Sequence, residues 1–328
     1  MKVLIVNDTR IPAIRYGGTE RVIWCLGKEL ARLGHRVAYL VQPGSSCPFA
    51  EVLAWDRSRP LGEQVPDDVD LVHLHHSPPD LRGLSRPHVV TLHGNPSTAV
   101  ELDRNTVFVS RNHASRFGSE CFVHNGLDWD EYGRPDLGGR RSYVHFLGDA
   151  AWRVKNVRGA IRIARLAGER LHVLGGRRLN FRMGFRLTLS PRVRFFGWVG
   201  GEQKLGLLGG SKGLLYPVRW HEPFGLAIVE SLYFGCPVFG TPYGSLPELV
   251  TPEVGHLSAR AADLARAVRE AGRFERRRCH DYAATLFSSR AMAQGYLSKY
   301  QQALEGRPLN PVSPRLQEAN APRLLPFD

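Results

Sequence analysis

The sequence predicts an α/β protein of two doubly wound, Rossmann-like domains facing a cleft. Three observations predict it. Short apolar runs alternate with helical apolar stripes along most of the 328 residues. The alternation breaks once, near residues 127–141, and then restarts. The candidate chemical motifs follow the carboxyl ends of predicted strands, where open parallel sheets bind ligands. Strands and helices in strict alternation imply parallel pairing with helices on both faces.

Taken in order, Lys2 to Asn7 reads as a buried strand. Val22, Leu26, Leu30 and Leu33 share one helical face that stops at Gly34. Arg36 to Val41 is a second strand, and short apolar runs at 70–75, 89–93, 106–110 and 121–124 read as further strands. The break holds Tyr132-Gly133-Arg134-Pro135-Asp136 and Gly138-Gly139-Arg140-Arg141, a linker composition. Beyond it, 142–147 is a strand, and Val157, Ala160, Ile161 and Ala164 stripe a helix. Strands follow at 171–174, 193–196, 214–218 and 237–240, and a last helix spans 288–305. The expected domains are therefore 1–135, rejoined by helix 288–305, and 142–287. The proline-rich tail, 307–328, has no periodicity and is expected to be disordered or loosely docked.

Composition narrows the function. The hydrophobic content of 43% suffices for two cores. The net charge is +13, and 38 of the 44 basic residues are arginine. Such a chain attracts polyanions: nucleotide-sugars, acidic phospholipids or nucleic acid. The arginines are dispersed and lack interleaved aromatics, which argues against nucleic acid. The Arg-rich stretches 177–186 and 273–278 suit an anionic membrane surface, against the plainer reading of a solvated charged face. Five scattered cysteines without a Cys-x-x-Cys pair point to reduced thiols and no zinc site. No secretory signal and no apolar run of ~18–20 residues is seen, so the expectation is a cytoplasmic protein, with peripheral contact on the inner membrane face left open.

The most informative motif is His221-Glu222-Pro223-Phe224-Gly225-Leu226-Ala227-Ile228-Val229-Glu230. A strand feeds a glycine turn, and the turn opens a helix. The unpaired first-turn N–H groups, among them those of Leu226 and Ala227, attract anions such as phosphates. A glutamate stands on each side of that helix start. Tyr16-Gly17-Gly18-Thr19 forms a second glycine turn at a helix start. A third candidate phosphate loop, Gly148 to Asn156, carries Arg153 and Lys155. Thr91-Leu92-His93-Gly94 puts a histidine at a strand's carboxyl end, though a lone histidine is more often a satisfied surface residue. Asp68-Val69-Asp70 and Asp128-Trp129-Asp130 look like Asp-x-Asp metal clamps and read better as structural; His73 and His75 lack matching ligands, so no metal is expected.

Glu222-Pro-Phe-Gly-Leu with Glu230, then Gly235-Cys-Pro-Val, then Gly244-Ser-Leu-Pro-Glu248, resembles the donor-binding block of the retaining, GT-B-fold family 4 glycosyltransferases. The resemblance implies transfer of a hexosyl group from a nucleotide diphosphate sugar to an acceptor hydroxyl, without a metal or cofactor. UDP-glucose or a relative is the expected donor. The acceptor, a glycan, lipid-linked sugar or small molecule, is not legible and would be met by the first domain. The resemblance gives Glu230 the ribose, and Glu222, Phe224 and Gly225 the sugar. It gives Gly17, Gly18, Lys155, Leu226 and Ala227 the diphosphate, with Arg153 as a further ligand, and it places His93 near the reacting centre. One departure stands out: the family's usual arginine after the glycine is Asp149 here, and Lys155 comes one residue late. The rival readings are a glycosidase using the two glutamates, a GT-B sugar-nucleotide epimerase, and a catalytically impaired nucleotide-sugar-binding protein.

Overall fold

The computed structural model describes residues 1–12, 18–76, 81, 83–96, 100–317 and 324–328. The chain divides into two compact units, one of Met1–Trp129 with Phe287–Asn320 and one of Asp130–Leu286 with Ala321–Asp328.

Unit 1 runs β1 (Lys2–Val6), α1 (Thr19–Arg32), β2 (Arg36–Val41), β3 (Glu51–Ala54), β4 (Leu71–Leu74), β5 (His88–Leu92), β6 (Thr106–Phe108) and α2 (Arg111–Ser115). Its six strands are all parallel, in the order β3-β2-β1-β4-β5-β6. Leu4, Val6, Leu40, Val72, Leu74 and Val90 fill one face of this sheet. They are mostly β-branched or branched aliphatic side chains on central strands buried on both faces, which is why the sequence shows continuous apolar runs.

Unit 2 runs β7 (Tyr143–Leu147), α3 (Val157–Ala167), β8 (Leu171–Leu174), β9 (Leu179–Asn180), β10 (Arg186–Leu187), β11 (Val193–Phe195) and α4 (Gly201–Gly209). It continues through β12 (Ser211–Tyr216), α5 (Leu226–Tyr233), β13 (Val238–Gly240), α6 (Leu246–Leu249), β14 (Gly255–Leu257), α7 (Ala261–Arg269) and α8 (Arg276–Leu286). Its main sheet is parallel, in the order β11-β8-β7-β12-β13-β14, while β9 and β10 pair only with each other as an antiparallel ribbon. With the ribbon set aside, both sheets have the doubly wound order 3-2-1-4-5-6. The core packs Phe146, Val173, Leu215 and Phe239 from the sheet against Ala160, Ile163 and Ala164 of α3 and Leu264 and Val268 of α7.

The last helix, α9 (Ser289–Leu304), belongs to unit 1. Tyr300 bonds His73 at 2.7 Å and Tyr296 bonds Thr91 at 2.8 Å, so two buried tyrosines reach the carboxyl ends of β4 and β5. Gly126 is not among the positive-φ residues, so backbone conformation does not call for a glycine there. Close approach requires it instead, since a Cβ there would lie 2.2 Å from the Ser288 carbonyl oxygen.

Two expectations need correction, and four strands were missed. Residues 121–124 make only a single bridge, Phe108 to Phe122, because β6 is an edge strand three residues long. Strands β3, β9, β10 and β14 were not legible; β3 and the β9–β10 ribbon are short and largely exposed, and β14 is only three residues long. The tail is docked where it is described. Pro314 accepts a bond from Leu102 N and Asn310 is buried in unit 1, while Phe327 packs on the unit 2 core and Asp328 accepts from Ala261 N. Prolines lack N–H donors but keep their carbonyls, and backbone bonds through those carbonyls substitute for periodicity.

Buried Arg141 organises the entry to unit 2. Its guanidinium donates to the carbonyls of Leu208, Ser211, Asp136 and Phe234 at 3.0–3.2 Å. Arg141→Met would leave those acceptors without their donor, and the expected loss is on the order of 3 kcal/mol or more. A guanidinium-chloride midpoint for unit 2 equal to wild type would contradict it.

Buried histidines set the acid limit. Burial pushes His93 and His172 down to about 4 and His113 and His145 down to about 3. The unfolded chain takes up these protons near pH 6.5, while the folded chain resists until pH 3–4. Stability is therefore complete above about pH 6.5 and falls progressively below it. Scanning calorimetry at pH 7.5 and pH 5 should give a markedly lower transition temperature at pH 5; equal values would contradict the burial of these rings. No described helix is long and apolar enough to cross a membrane.

Candidate functional site

Adjacent strands β7 and β12 lie where the order of unit 2 reverses, with β8 leading one way and β13 the other. Loops after such a pair diverge and leave a crevice at the carboxyl ends. The loop after β7 carries Lys155, and the loop after β12 carries Glu222.

The first loop is pinned by its own polar groups. Gly148 has φ 153°, and Asp149 accepts the Ala151 N–H at 2.8 Å. A short 3-10 turn, Arg153–Lys155, ends at Asn156 with φ 57°. The Asn156 side chain caps α3 by accepting Gly159 N–H at 3.0 Å and donates to the Pro217 carbonyl at 2.9 Å. Arg219 N–H donates to the Val154 carbonyl at 2.7 Å. These ties hold Lys155 against the second loop.

There, Lys155 Nζ meets Glu222 Oε2 at 2.6 Å and Tyr216 OH at 2.9 Å. The same Oε2 accepts Trp220 Nε1 at 2.9 Å and Tyr216 OH at 3.0 Å. The ammonium also stands 5.0 Å from the Trp220 ring and 5.3 Å from the Tyr216 ring, within cation–π range. Glu222 is 5% exposed, so this is a built constellation and not a surface pair. Its backbone is clamped from the next motif. Ser245 N–H donates to the Glu222 carbonyl at 2.9 Å, and Ser245 Oγ donates to the Phe224 carbonyl at 2.6 Å. A Cβ on Gly244, at φ 64°, would lie 2.2 Å from Glu222 N. Glycine is therefore required there twice over, by conformation and by space.

Gly225, at φ 90°, then opens α5, leaving Leu226 and Ala227 in the first turn with N–H groups that have no helical acceptor. Glu230 follows on the same helix, 2% exposed. It accepts Tyr132 OH at 2.6 Å and Lys204 Nζ at 2.5 Å, and the ammonium is 5.1 Å from the Tyr132 ring. Unit 2 thus holds two buried glutamates, each met by a lysine and by a tyrosine hydroxyl. Carboxylates surrounded by donors serve as acceptors. Neither is arranged as the proton source that a glycosidase pair needs.

Of the expected residues, the structure joins Lys155 to Glu222 and puts Leu226, Ala227 and Glu230 on the helix beside them. The Phe224 ring is 2% exposed and packs in the core, so it does not face a ligand. Arg153 departs from Lys155. It is exposed and lines a cavity of about 380 Å³ with Arg158, Arg186 and Arg219, a cavity that neither Lys155 nor Glu222 lines. Asp149 does not face bare anions: its Oδ2 holds Arg182 at 2.6 Å. In unit 1, Gly18 begins α1 and Gly17 lies outside the described residues. His93 is a ring neighbour of His75, with Nε2 and Nδ1 2.8 Å apart, and its burial keeps it neutral to about pH 4. Asp68 is bound to Lys2 and Asp128 to Lys28 and Arg32. Among the described residues, no group of three or more His, Cys, Asp or Glu side chains could hold a metal.

Sequence reasoning missed Tyr132, Lys204, Tyr216 and Trp220. Trp220 stands two residues before Glu222, which is a local signal. Lys204 is one of only six lysines in an arginine-rich chain, a weaker one.

Residues 141–272 match the family model for glycosyl transferases group 1. An uncharacterized 41.2 kDa protein of the cps region of Klebsiella pneumoniae is 26% identical over 124 residues, which is 36% of this chain and 34% of that protein. The aligned part thus spans about a third of that relative's length. Among solved structures, AviGT4, a glycosyltransferase involved in avilamycin A biosynthesis, is 23% identical with a TM-score of 0.73, covering 93% of this chain and 98% of that one. Anabaena Alr3699/HepE in complex with UDP and glucose is 18% identical with a TM-score of 0.64, covering 92% and 100%. The catalytic domain of Arabidopsis thaliana starch synthase IV, bound to ADP and acarbose, is 14% identical with a TM-score of 0.68, covering 93% and 99%. The fold is that of GT-B glycosyltransferases, two Rossmann-like units with six parallel strands each.

Proposed function

We propose that this chain is a retaining, metal-independent glycosyltransferase. It moves a hexosyl group from a nucleotide diphosphate sugar, UDP-linked and glucose-like, to an acceptor hydroxyl. The observation that carries this reading is the Lys155–Glu222 constellation beside the first turn of α5, in the part of the chain that matches the group 1 model. UDP and glucose in HepE and ADP in the starch synthase support a nucleotide-sugar donor.

In this reading the anomeric carbon–phosphate oxygen bond breaks while the acceptor oxygen bonds the same face of the sugar. The departing phosphate oxygen takes the acceptor's proton. Charge builds on the diphosphate, and catalysis consists of stabilising it with fixed donors. Lys155 and the N–H groups of Leu226 and Ala227 supply them, with Gly17 and Gly18 as further contributors. Arg153 is a weaker candidate, because it faces the neighbouring cavity. Glu222, with the backbone at Phe224 and Gly225, holds the sugar hydroxyls, Glu230 holds the ribose, and neutral His93 contacts the sugar near the reacting centre.

The test is a panel of UDP-, ADP-, GDP- and dTDP-sugars, incubated with the protein and assayed for free nucleoside diphosphate. Release from one nucleotide class is the expected result. Release from none, together with cleavage of a simple aryl glycoside, would overturn the transferase reading.

A further inference from the structure

The ribbon formed by β9 and β10 carries its apolar side chains outward. Leu179, Phe181, Met183, Phe185, Leu187 and Leu189 occupy alternate positions and are each 46–80% exposed. Leu179 and Leu187 are a cross-strand pair on the outer face, and the Phe181 and Phe185 rings lie 5.8 Å apart at the tip. Six large apolar groups in one row exceed the scattered exposed residues of an ordinary surface.

Polar groups occupy the inner positions, and at the tip Met183 and Phe185 also border the cavity that Arg153 lines. Buried Arg186 donates to the Arg177 carbonyl and Thr188 Oγ1, with its guanidinium 4.8 Å from the Phe195 ring. Arg178 spans the ribbon base, donating to the carbonyls of Thr188, Ser190 and Val193. Near the tip, Arg182 is tied to Asp149, and Arg158 donates to the Phe185 carbonyl at 2.5 Å. The ribbon is thus fastened from behind by arginines and presents an apolar front.

Charge identifies the occupant. Residues 170–201 contain seven arginines and no aspartate or glutamate. An apolar row beside exposed cations such as Arg192 and Arg194 suits a bilayer surface, with the row in the headgroup–acyl boundary and those arginines on lipid phosphates. A partner protein would have to be strongly acidic and concave to match the same ribbon. We propose that the β9–β10 ribbon is a membrane anchor, docking this protein on anionic phospholipid.

The test is co-sedimentation of the full chain with large unilamellar vesicles of phosphatidylcholine alone, or in equal parts with phosphatidylglycerol. Wild type should bind the anionic vesicles, less so as salt rises, and bind pure phosphatidylcholine weakly. Phe181→Ser/Leu187→Ser/Leu189→Ser should lower anionic binding roughly tenfold or more with the unfolding temperature unchanged. Arg192→Glu/Arg194→Glu, made separately on exposed positions, should weaken binding to anionic vesicles selectively. No binding by wild type, or binding equal to wild type by both variants, would overturn the proposal. So would a concentration-dependent dimer in light scattering that the triple variant disperses without any vesicle binding, which would give the face to a second copy.

Discussion

Lys155→Ala is expected to lower nucleotide-sugar turnover by roughly 10²–10³-fold, the usual effect of removing one fixed donor from a developing oxyanion. The ammonium is held within 3 Å of both Glu222 and Tyr216 and is 13% exposed. Its position is set by the Asn156 cap, by the bond to the Pro217 carbonyl and by the Arg219–Val154 tie, none of which involves its own side chain. Removing the ammonium therefore deletes charge and leaves the loop in place. The expected signature is a fall in kcat larger than the rise in KM, because the leaving diphosphate gains charge only as the bond breaks. The unfolding temperature falls in either case, because buried Glu222 loses its ion-pair partner; a merely structural lysine would move kcat little.

Glu230→Ala is expected to weaken nucleoside diphosphate binding by roughly 10–100-fold, the loss of one or two charged hydrogen bonds to ribose hydroxyls at ~1.5–3 kcal/mol each. It also removes the ion pair to Lys204, whose side chain is 11% exposed, so stability falls as well, by up to about 3–5 kcal/mol for breaking a buried pair. The two effects separate in a double variant. Glu230→Gln/Lys204→Met removes both charges and should recover much of the stability without recovering affinity. Recovery of both would make Glu230 a structural partner of Lys204 and nothing more.

The sheets were legible because central parallel strands are apolar throughout, and runs such as Lys2 to Val6 and Leu171 to Leu174 have few other readings. Edge elements were not: Glu51–Ala54 is half exposed, and the β9–β10 ribbon inverts the usual rule by turning its apolar residues outward. The glutamates and the Gly225 turn were legible because they belong to one contiguous motif with fixed spacing, and Lys155 because it stands as a basic residue in a glycine loop at a helix start, one residue off the usual spacing. Tyr132 and Lys204 were not, since they reach Glu230 from 98 and 26 residues away, and only the fold brings them there. Asp149 shows the limit of reading by position. Its charge is countered by Arg182, 33 residues on, a pairing that no local pattern announces.

The most direct test is calorimetric titration of wild type, Lys155→Ala and Glu230→Ala with UDP, repeated with ADP. The predicted result is that wild type binds one of these diphosphates and each variant binds it at least about tenfold more weakly, in line with a lost charged hydrogen bond. Wild-type affinity in both variants, or no diphosphate binding by the wild-type chain, would contradict the site.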